Sequence, residues 1–269
     1  MPSVTIRFYE ELNDFLPARI GKSPFTVQFA RGCTAKAVIE DLGVPHTEVD
    51  LIIANGSSVD FSYRLKDADF LSVYPMFESL DIGGVSRVRA APLRETRFAL
   101  DVHLGKLARL LRMTGFDASY SNTIADEELA RLARTEKRII LTRDRGLLKR
   151  RAVTHGYLVR ATAPCQQLGE VLRRFDLAAR LRMFTRCMVC NLPLARVDKA
   201  AIEALLPPVV ASTYSEFSRC PGCARVFWRG THWERMKRLT AEVLNADPGN
   251  RDQLLNPKAR VAHSAPLSP

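Results

Sequence analysis

No stretch of this chain approaches the roughly 18 to 20 consecutive apolar residues that a membrane-spanning helix needs. The opening MPSVTIRFYEELNDF places Glu10, Glu11 and Asp14 where a secretory leader would be basic and then apolar, so a soluble, cytoplasmic protein with no membrane role is expected. Acidic residues are in short supply, 29 Asp and Glu against 40 Lys and Arg, which leaves a net charge of +11. The shortage is local. Residues 1–90 hold 9 basic and 12 acidic residues, net −3, so the remaining chain carries +14. A basic module thus follows an acidic one, and clustered positive charge of this size is the footprint of a polyanion partner, RNA first and DNA second. Cysteine is also scarce. Two of the six, Cys33 and Cys165, have no patterned partner and are expected to be buried packing residues.

The chain begins with apolar–polar alternation in VTIRFYEEL and FTVQF, separated by Gly21 and Pro24, a hairpin pattern. Thr34 opens a short helix, TAKAVIEDLG, stopped by Gly43 and Pro45, after which LIIANG and DFLSVYP read as two more strands. Strand, strand, helix, strand, strand is the order of a small β-grasp domain over residues 1–82. Its runs GCTAKAVIEDLGVPHTEVDLIIANG and LKDADFLSVYP resemble the ubiquitin-like sulfur carriers. Those carriers end in a free Gly-Gly, whereas Gly83 and Gly84 are followed here by 185 residues. The segment DIGGVSRVRAAP within residues 83–94 therefore reads as a linker.

After Pro92, strand-like and helix-like segments alternate: RFAL, LGKLARLLRMTG, FDASY, DEELARLARTE, RIILT and GYLVRA. This is a βαβ series over residues 95–183 and predicts a parallel sheet flanked by helices, whose ligands lie at the carboxyl ends of the strands. A helix is expected over 164–183. Overall the chain reads as a multidomain α/β protein.

Three aspartates fall at that edge: Asp101 directly after RFAL, Asp126 at the start of a helix, and Asp144 after RIILT. Carboxylates brought together repel unless a cation lies among them, and hard oxygen donors suit Mg²⁺ or Mn²⁺. Glu127 or Glu128 could replace Asp126, since the acidic run also suits a helix amino terminus. Asp144 is surrounded in sequence by Arg143, Arg145, Lys149, Arg150 and Arg151; the plainer reading is a turn residue neutralised by its neighbours. On LGKLARLLRM, Leu104, Leu107, Leu110 and Leu111 mark one face, while Lys106, Arg109 and Arg112 share the other. With Arg143 and Arg145 these are the candidate phosphate-binding cations. Asp117 reads as structural, and His103 is assigned no role.

The runs RFALDVHLGKLARLLRMTGFDASY, DEELARLA and RIILTRDRGLL resemble the RNase domain named after the carboxy-terminal part of the Mut-seven exonuclease, a branch of the PIN-like nucleases. Similar members join a ubiquitin-like domain, the nuclease fold and a zinc ribbon. The resemblance implies metal-dependent RNA cleavage, with Asp101, Asp126 and Asp144 as the matching acidic, catalytic positions.

CMVC (Cys187, Cys190) and CPGC (Cys220, Cys223) are two C-x-x-C knuckles 29 residues apart. Such a pair can supply four thiolates to one tetrahedral, structural zinc, and residues 184–240 read as a zinc ribbon. His232 is expected to pack or touch nucleic acid rather than bind the metal. Trp228, Arg229, Trp233, Arg235, Lys237 and Arg238 could stack bases and hold phosphates, or the tryptophans could close the ribbon's core. Residues 241–269 read as a disordered tail. The leading expectation is a metal-dependent ribonuclease whose ubiquitin-like domain docks a protein partner. The alternatives are a nucleic-acid-binding protein that does not cut, and a sulfur carrier released after Gly84.

Overall fold

The computed structural model of the chain describes residues 1–18, 20, 22–75, 84–88 and 96–245. These form two compact units, one of residues 1–108 with 116–159 and the other of residues 109–115 with 160 onward.

The first unit opens with β1 (Ser3–Phe8) and β2 (Phe25–Gln28), followed by α1 (Ala35–Asp41), β3 (Val49–Ala54), β4 (Ser57–Val59) and β5 (Asp69–Pro75). The sheet order is β2-β1-β5-β3-β4, with β1 and β5 parallel in the centre. This is the expected β-grasp arrangement with one additional short strand, β4. Alternation along β1 buries Val4, Ile6 and Phe8 against Val38 and Ile39 of α1 in a shared apolar cluster. The Thr34 hydroxyl caps α1 by accepting from the Ala37 N–H at 3.2 Å.

A second sheet follows, built from β6 (Arg97–Leu100), α2 (Gly105–Met113), β7 (Asp117–Tyr120), α3 (Asp126–Thr135), β8 (Ile139–Thr142), α4 (Arg145–Lys149) and β9 (Gly156–Leu158). Its order is β7-β6-β8-β9 and every neighbouring pair is parallel. All four residues of β8 are buried, as expected of a central strand in a sheet covered on both faces. Asp117 is structural, accepting from the Arg138 guanidinium at 2.6 Å.

The two sheets of this unit are not merely linked in sequence. Leu147 and Leu148 of α4, Val153 and Leu158 belong to the same apolar cluster as the β-grasp core. Each leucine withdrawn from water contributes about 2 kcal/mol. Polar groups fix the register. Glu48, fully buried, accepts from the backbone N–H of Leu158 at 2.6 Å, so a donor on edge strand β9 is satisfied by the β-grasp domain. His46 meets the Val153 carbonyl through Nε2 at 2.8 Å and Glu40 through Nδ1 at 2.6 Å. Lys149 donates to the Glu40 carbonyl. Gly83 and most of the 83–94 linker lie outside the described residues.

The second unit contains α5 (Pro164–Arg174), β10 (Ala195–Val197), α6 (Pro208–Thr213), β11 (Phe217–Arg219), β12 (Val226–Trp228) and α7 (Thr231–Asn245). The strands form an antiparallel sheet, β10-β11-β12. The helix expected over 164–183 stops at Arg174. Asp176 adopts φ +46°, a left-handed conformation that ends the helical path, although the apolar pattern continues beyond it. Residues 241–245, expected in the tail, complete α7; the remaining tail residues are outside the described set. Cys33 and Cys165 are half-buried rather than fully enclosed. Among the described residues no helix is long and apolar enough to cross a membrane.

Candidate active site and metal centre

Sheet register creates the acidic edge. Leu100 of β6 lies opposite Leu141 of β8, and the Asp101 N–H donates to the Leu141 carbonyl at 3.1 Å. Asp101 therefore leaves its strand beside Thr142. The Thr142 hydroxyl donates to Asp101 Oδ2 at 2.8 Å and accepts from the Asp144 N–H at 2.9 Å. One fully buried hydroxyl thus connects both strand-end aspartates. Thr142 was not among the sequence candidates, because a threonine ending a β-strand is ordinary and only the register discloses what it touches.

Asp101 is 7% exposed, yet no lysine or arginine pairs with it among the described residues. A buried carboxylate without a counter-charge is costly unless a cation or further donors reach it. Asp144 caps α4, its Oδ1 accepting from the Gly146 N–H at 2.7 Å. The surrounding arginines do not form ion pairs with it. Arg145 instead lies over the Phe15 ring, 5.1 Å from its centroid, and Arg150 reaches Asp126 at 3.3 Å. Asp144 is thus a turn residue whose carboxylate is not neutralised by its neighbours.

Asp126 begins α3 and is half-buried. Among the described residues, the only group of three or more potential ligand atoms within 4.8 Å of one another is the four cysteines. The three aspartates therefore do not close to that distance. Asp101 and Asp144 are joined through Thr142, Asp101 by its carboxylate and Asp144 by its backbone N–H.

Lys106, Arg109, Arg143 and Arg145 are exposed, in keeping with a cationic surface. Arg112 corrects the sequence expectation. It is 5% exposed, and its Nη1 donates to the carbonyls of Met188 at 3.2 Å and Val189 at 2.8 Å, inside the first cysteine knuckle. Spacing places it on the face of Lys106 and Arg109, but the knuckle packed there turns its guanidinium inward. Arg112 is a structural tie to the first cysteine knuckle rather than a surface group.

The two knuckles repeat one backbone geometry. The Asn191 N–H donates to the Cys187 carbonyl at 2.9 Å, and the Ala224 N–H donates to the Cys220 carbonyl at 3.0 Å. Asn191 and Ala224 both take left-handed conformations, φ +64° and +58°. A Cβ at Gly222 would lie 2.6 Å from Leu192 Cδ1 of the opposite knuckle, so that exposed side chain would have to shift to accommodate one. The Cys187 and Cys223 sulfurs are 3.7 Å apart, close to the ~3.8 Å edge of a tetrahedron with Zn–S bonds of about 2.3 Å. The Arg225 backbone N–H draws the Cys223 pKa down to about 7. Cys190, hydrogen-bonded to Cys223, is pushed up to about 12. The donor set fits zinc and, being complete with four thiolates, leaves no position for substrate. His232 is not part of it.

A β-grasp domain docked on a parallel α/β domain with a strand-end acidic edge, and a four-cysteine cluster suited to zinc, define a multidomain α/β protein. Residues 96–240 match the family described as the Mut7-C RNAse domain, and residues 1–81 match the Mut7-C ubiquitin family. The chain belongs to the Mut7-C RNAse domain family, with an amino-terminal Mut7-C ubiquitin domain. No curated protein matches it. Among solved structures it is similar to a protein from Pyrococcus furiosus described as molybdopterin converting factor, subunit 1. That similarity has 18% identity and a TM-score of 0.24, and covers 29% of this chain and all of the other.

Proposed function

We propose that this protein is a metal-dependent ribonuclease of PIN-like type that hydrolyses RNA phosphodiester bonds, with Asp101, Asp144 and Asp126 as its acidic residues. The observation that carries this reading is the pairing of Asp101 and Asp144 through Thr142, with Asp101 buried and lacking a basic partner among the described residues. Mg²⁺ or Mn²⁺ held by these carboxylates would supply an activated water and stabilise charge on phosphorus and the leaving oxygen. Thr142 orients Asp101 through one bond and the backbone at Asp144 through the other. Lys106, Arg109, Arg143 and Arg145 would hold the phosphates flanking the scissile bond. Asp126 stands beside Arg150 and would approach the centre only when the substrate displaces that exposed ion pair.

Zinc at Cys187, Cys190, Cys220 and Cys223 is assigned a structural role, and the ribbon helps hold the RNA. Four cysteines held by zinc, with Cys33 and Cys165 outside any disulfide, suit a reducing compartment such as the cytoplasm. The ubiquitin-like domain serves here as a scaffold for α4, the helix that Asp144 caps. Its contacts through His46, Glu48 and Leu158 favour this role over release as a sulfur carrier.

The test is cleavage of end-labelled single-stranded RNA with Mg²⁺, Mn²⁺ or EDTA, by the intact protein and an Asp101→Asn, Asp144→Asn variant. Cleavage that needs added metal and is lost in the variant supports the assignment. RNA binding without cutting, unchanged by the substitutions, refutes it in favour of a non-catalytic binding protein.

A further inference from the structure

The zinc-ribbon unit holds a cleft that the acidic site does not use. It measures about 750 Å³ and is lined by Phe184, Tyr214, Phe227, Trp228 and Trp233, a volume within the ~300–1,000 Å³ typical of small-molecule sites. Two arginines, Arg196 and Arg229, also line it, against one acid, Glu216.

The aromatic residues divide into two groups. Tyr214 and Trp228 pack on the small core of Ile202, Leu206 and Phe217, so one part of the wall is fixed. Gly230 permits this: a Cβ there would lie 2.8 Å from Trp228 Nε1. Trp233, on α7, lies outside that cluster and is half-exposed, 5.9 Å from the Phe184 ring at an interplanar angle of 39°. Cations surround it. The Arg229 guanidinium lies 5.7 Å and the Lys237 ammonium 5.1 Å from its ring centroid. The two arginines are tied to Glu216 only at 3.5 and 3.8 Å, with Arg196 87% and Arg229 71% exposed. Pairs of this kind contribute little, so either guanidinium can exchange Glu216 for a phosphate.

A half-exposed indole beside exposed cations recognises an object with flat apolar faces and a regularly charged backbone. We infer that this cleft binds unpaired nucleobases of single-stranded RNA, stacked against Trp233 and the adjoining rings, with Arg196 and Arg229 on the neighbouring phosphates. Charge complementarity favours this occupant over a peptide or a second copy of the chain. The inference rests on RNA being the substrate, but not on cleavage.

The chain has two tryptophans, Trp228 and Trp233, and both line the cleft, so selectively excited tryptophan fluorescence reports on this site. The experiment titrates the full-length, zinc-loaded protein, without added Mg²⁺ or Mn²⁺, with a short oligoadenylate and with an abasic strand of equal length. A dye-labelled copy of each strand records total binding by anisotropy. Saturable quenching by the oligoadenylate and little by the abasic strand is expected. Arg196→Ala with Arg229→Ala should weaken binding about ten-fold at low salt and flatten its salt dependence. Trp233→Ala should weaken it by a similar factor. Retained stoichiometric zinc shows that each variant is folded, and Trp233→Phe should restore most of the affinity.

Equal quenching by the two strands, or anisotropy changes without quenching, would overturn the inference. So would concentration-dependent dimerisation that buries the tryptophans. Loss of cleavage with quenching intact refutes only the nuclease reading, and loss of quenching with cleavage intact refutes only the cleft.

Discussion

Replacing Thr142 by valine tests whether the acidic pair is built as a unit. The two side chains are nearly the same size and position 142 is fully buried, so the substitution removes a hydroxyl and little else. Two bonds are lost, to Asp101 Oδ2 at 2.8 Å and from the Asp144 N–H at 2.9 Å. The first is charge-assisted, and losing the second withdraws the partner of a backbone donor. Together they should cost about 2–4 kcal/mol of stability, read by urea denaturation. The catalytic effect should be separate and larger than unfolding explains. Residues that orient metal-binding groups are typically responsible for about 10–100-fold in metal affinity or activity. Cleavage rates across a Mg²⁺ titration, on protein shown to be folded, should therefore show a raised half-saturation. Thr142→Ser, which keeps the hydroxyl, should recover most of it. Wild-type metal dependence and rate in a folded Thr142→Val protein would refute the idea that this hydroxyl positions the site.

Arg112→Met should leave RNA affinity nearly unchanged while weakening zinc retention about 10–100-fold, because the knuckle carbonyls of Met188 and Val189 lose their donor; competition with a chromogenic chelator measures it. Glu48→Ala should destabilise the first unit by about 1–3 kcal/mol, since the Leu158 N–H loses its acceptor, with a matching fall in thermal midpoint. Ala224→Gly should slow zinc loss to a chelator and stabilise the ribbon by about 0.5–1 kcal/mol, because alanine at φ +58° is strained where glycine is not. Removing zinc should unfold the ribbon around β10–β12, seen as a change in fluorescence of Trp228 and Trp233, and re-addition should restore it.

The β-grasp order, the βαβ series and the paired knuckles were all legible from local pattern. Period-two alternation in VTIRF, the apolar face of LGKLARLLRM and the C-x-x-C spacing are properties of short segments, set by backbone geometry and ligand chemistry. The strand-end placement of Asp101 and Asp144 was legible because a parallel sheet sends its strand ends to one edge. Thr142 was not, since its two partners are 41 residues and two residues away and only sheet register brings them to one hydroxyl. Arg112 was misplaced for the same reason. Helical spacing specifies a face, but whether that face meets water or another segment depends on residues 76 and 77 positions further along the chain.

The amino-acid sequence by itself determined which chemistry is present: four thiolates, strand-end carboxylates, a basic carboxyl-terminal half and two tryptophans close together. Tertiary structure alone decided how these groups are used. It docked the ubiquitin-like domain on β9 and α4 and left Asp101 buried without a basic partner among the described residues. It also turned Arg112 onto the first cysteine knuckle and opened the aromatic cleft. The physical reason is that hydrogen bonding and desolvation depend on distances between groups remote in sequence, which local periodicity does not encode.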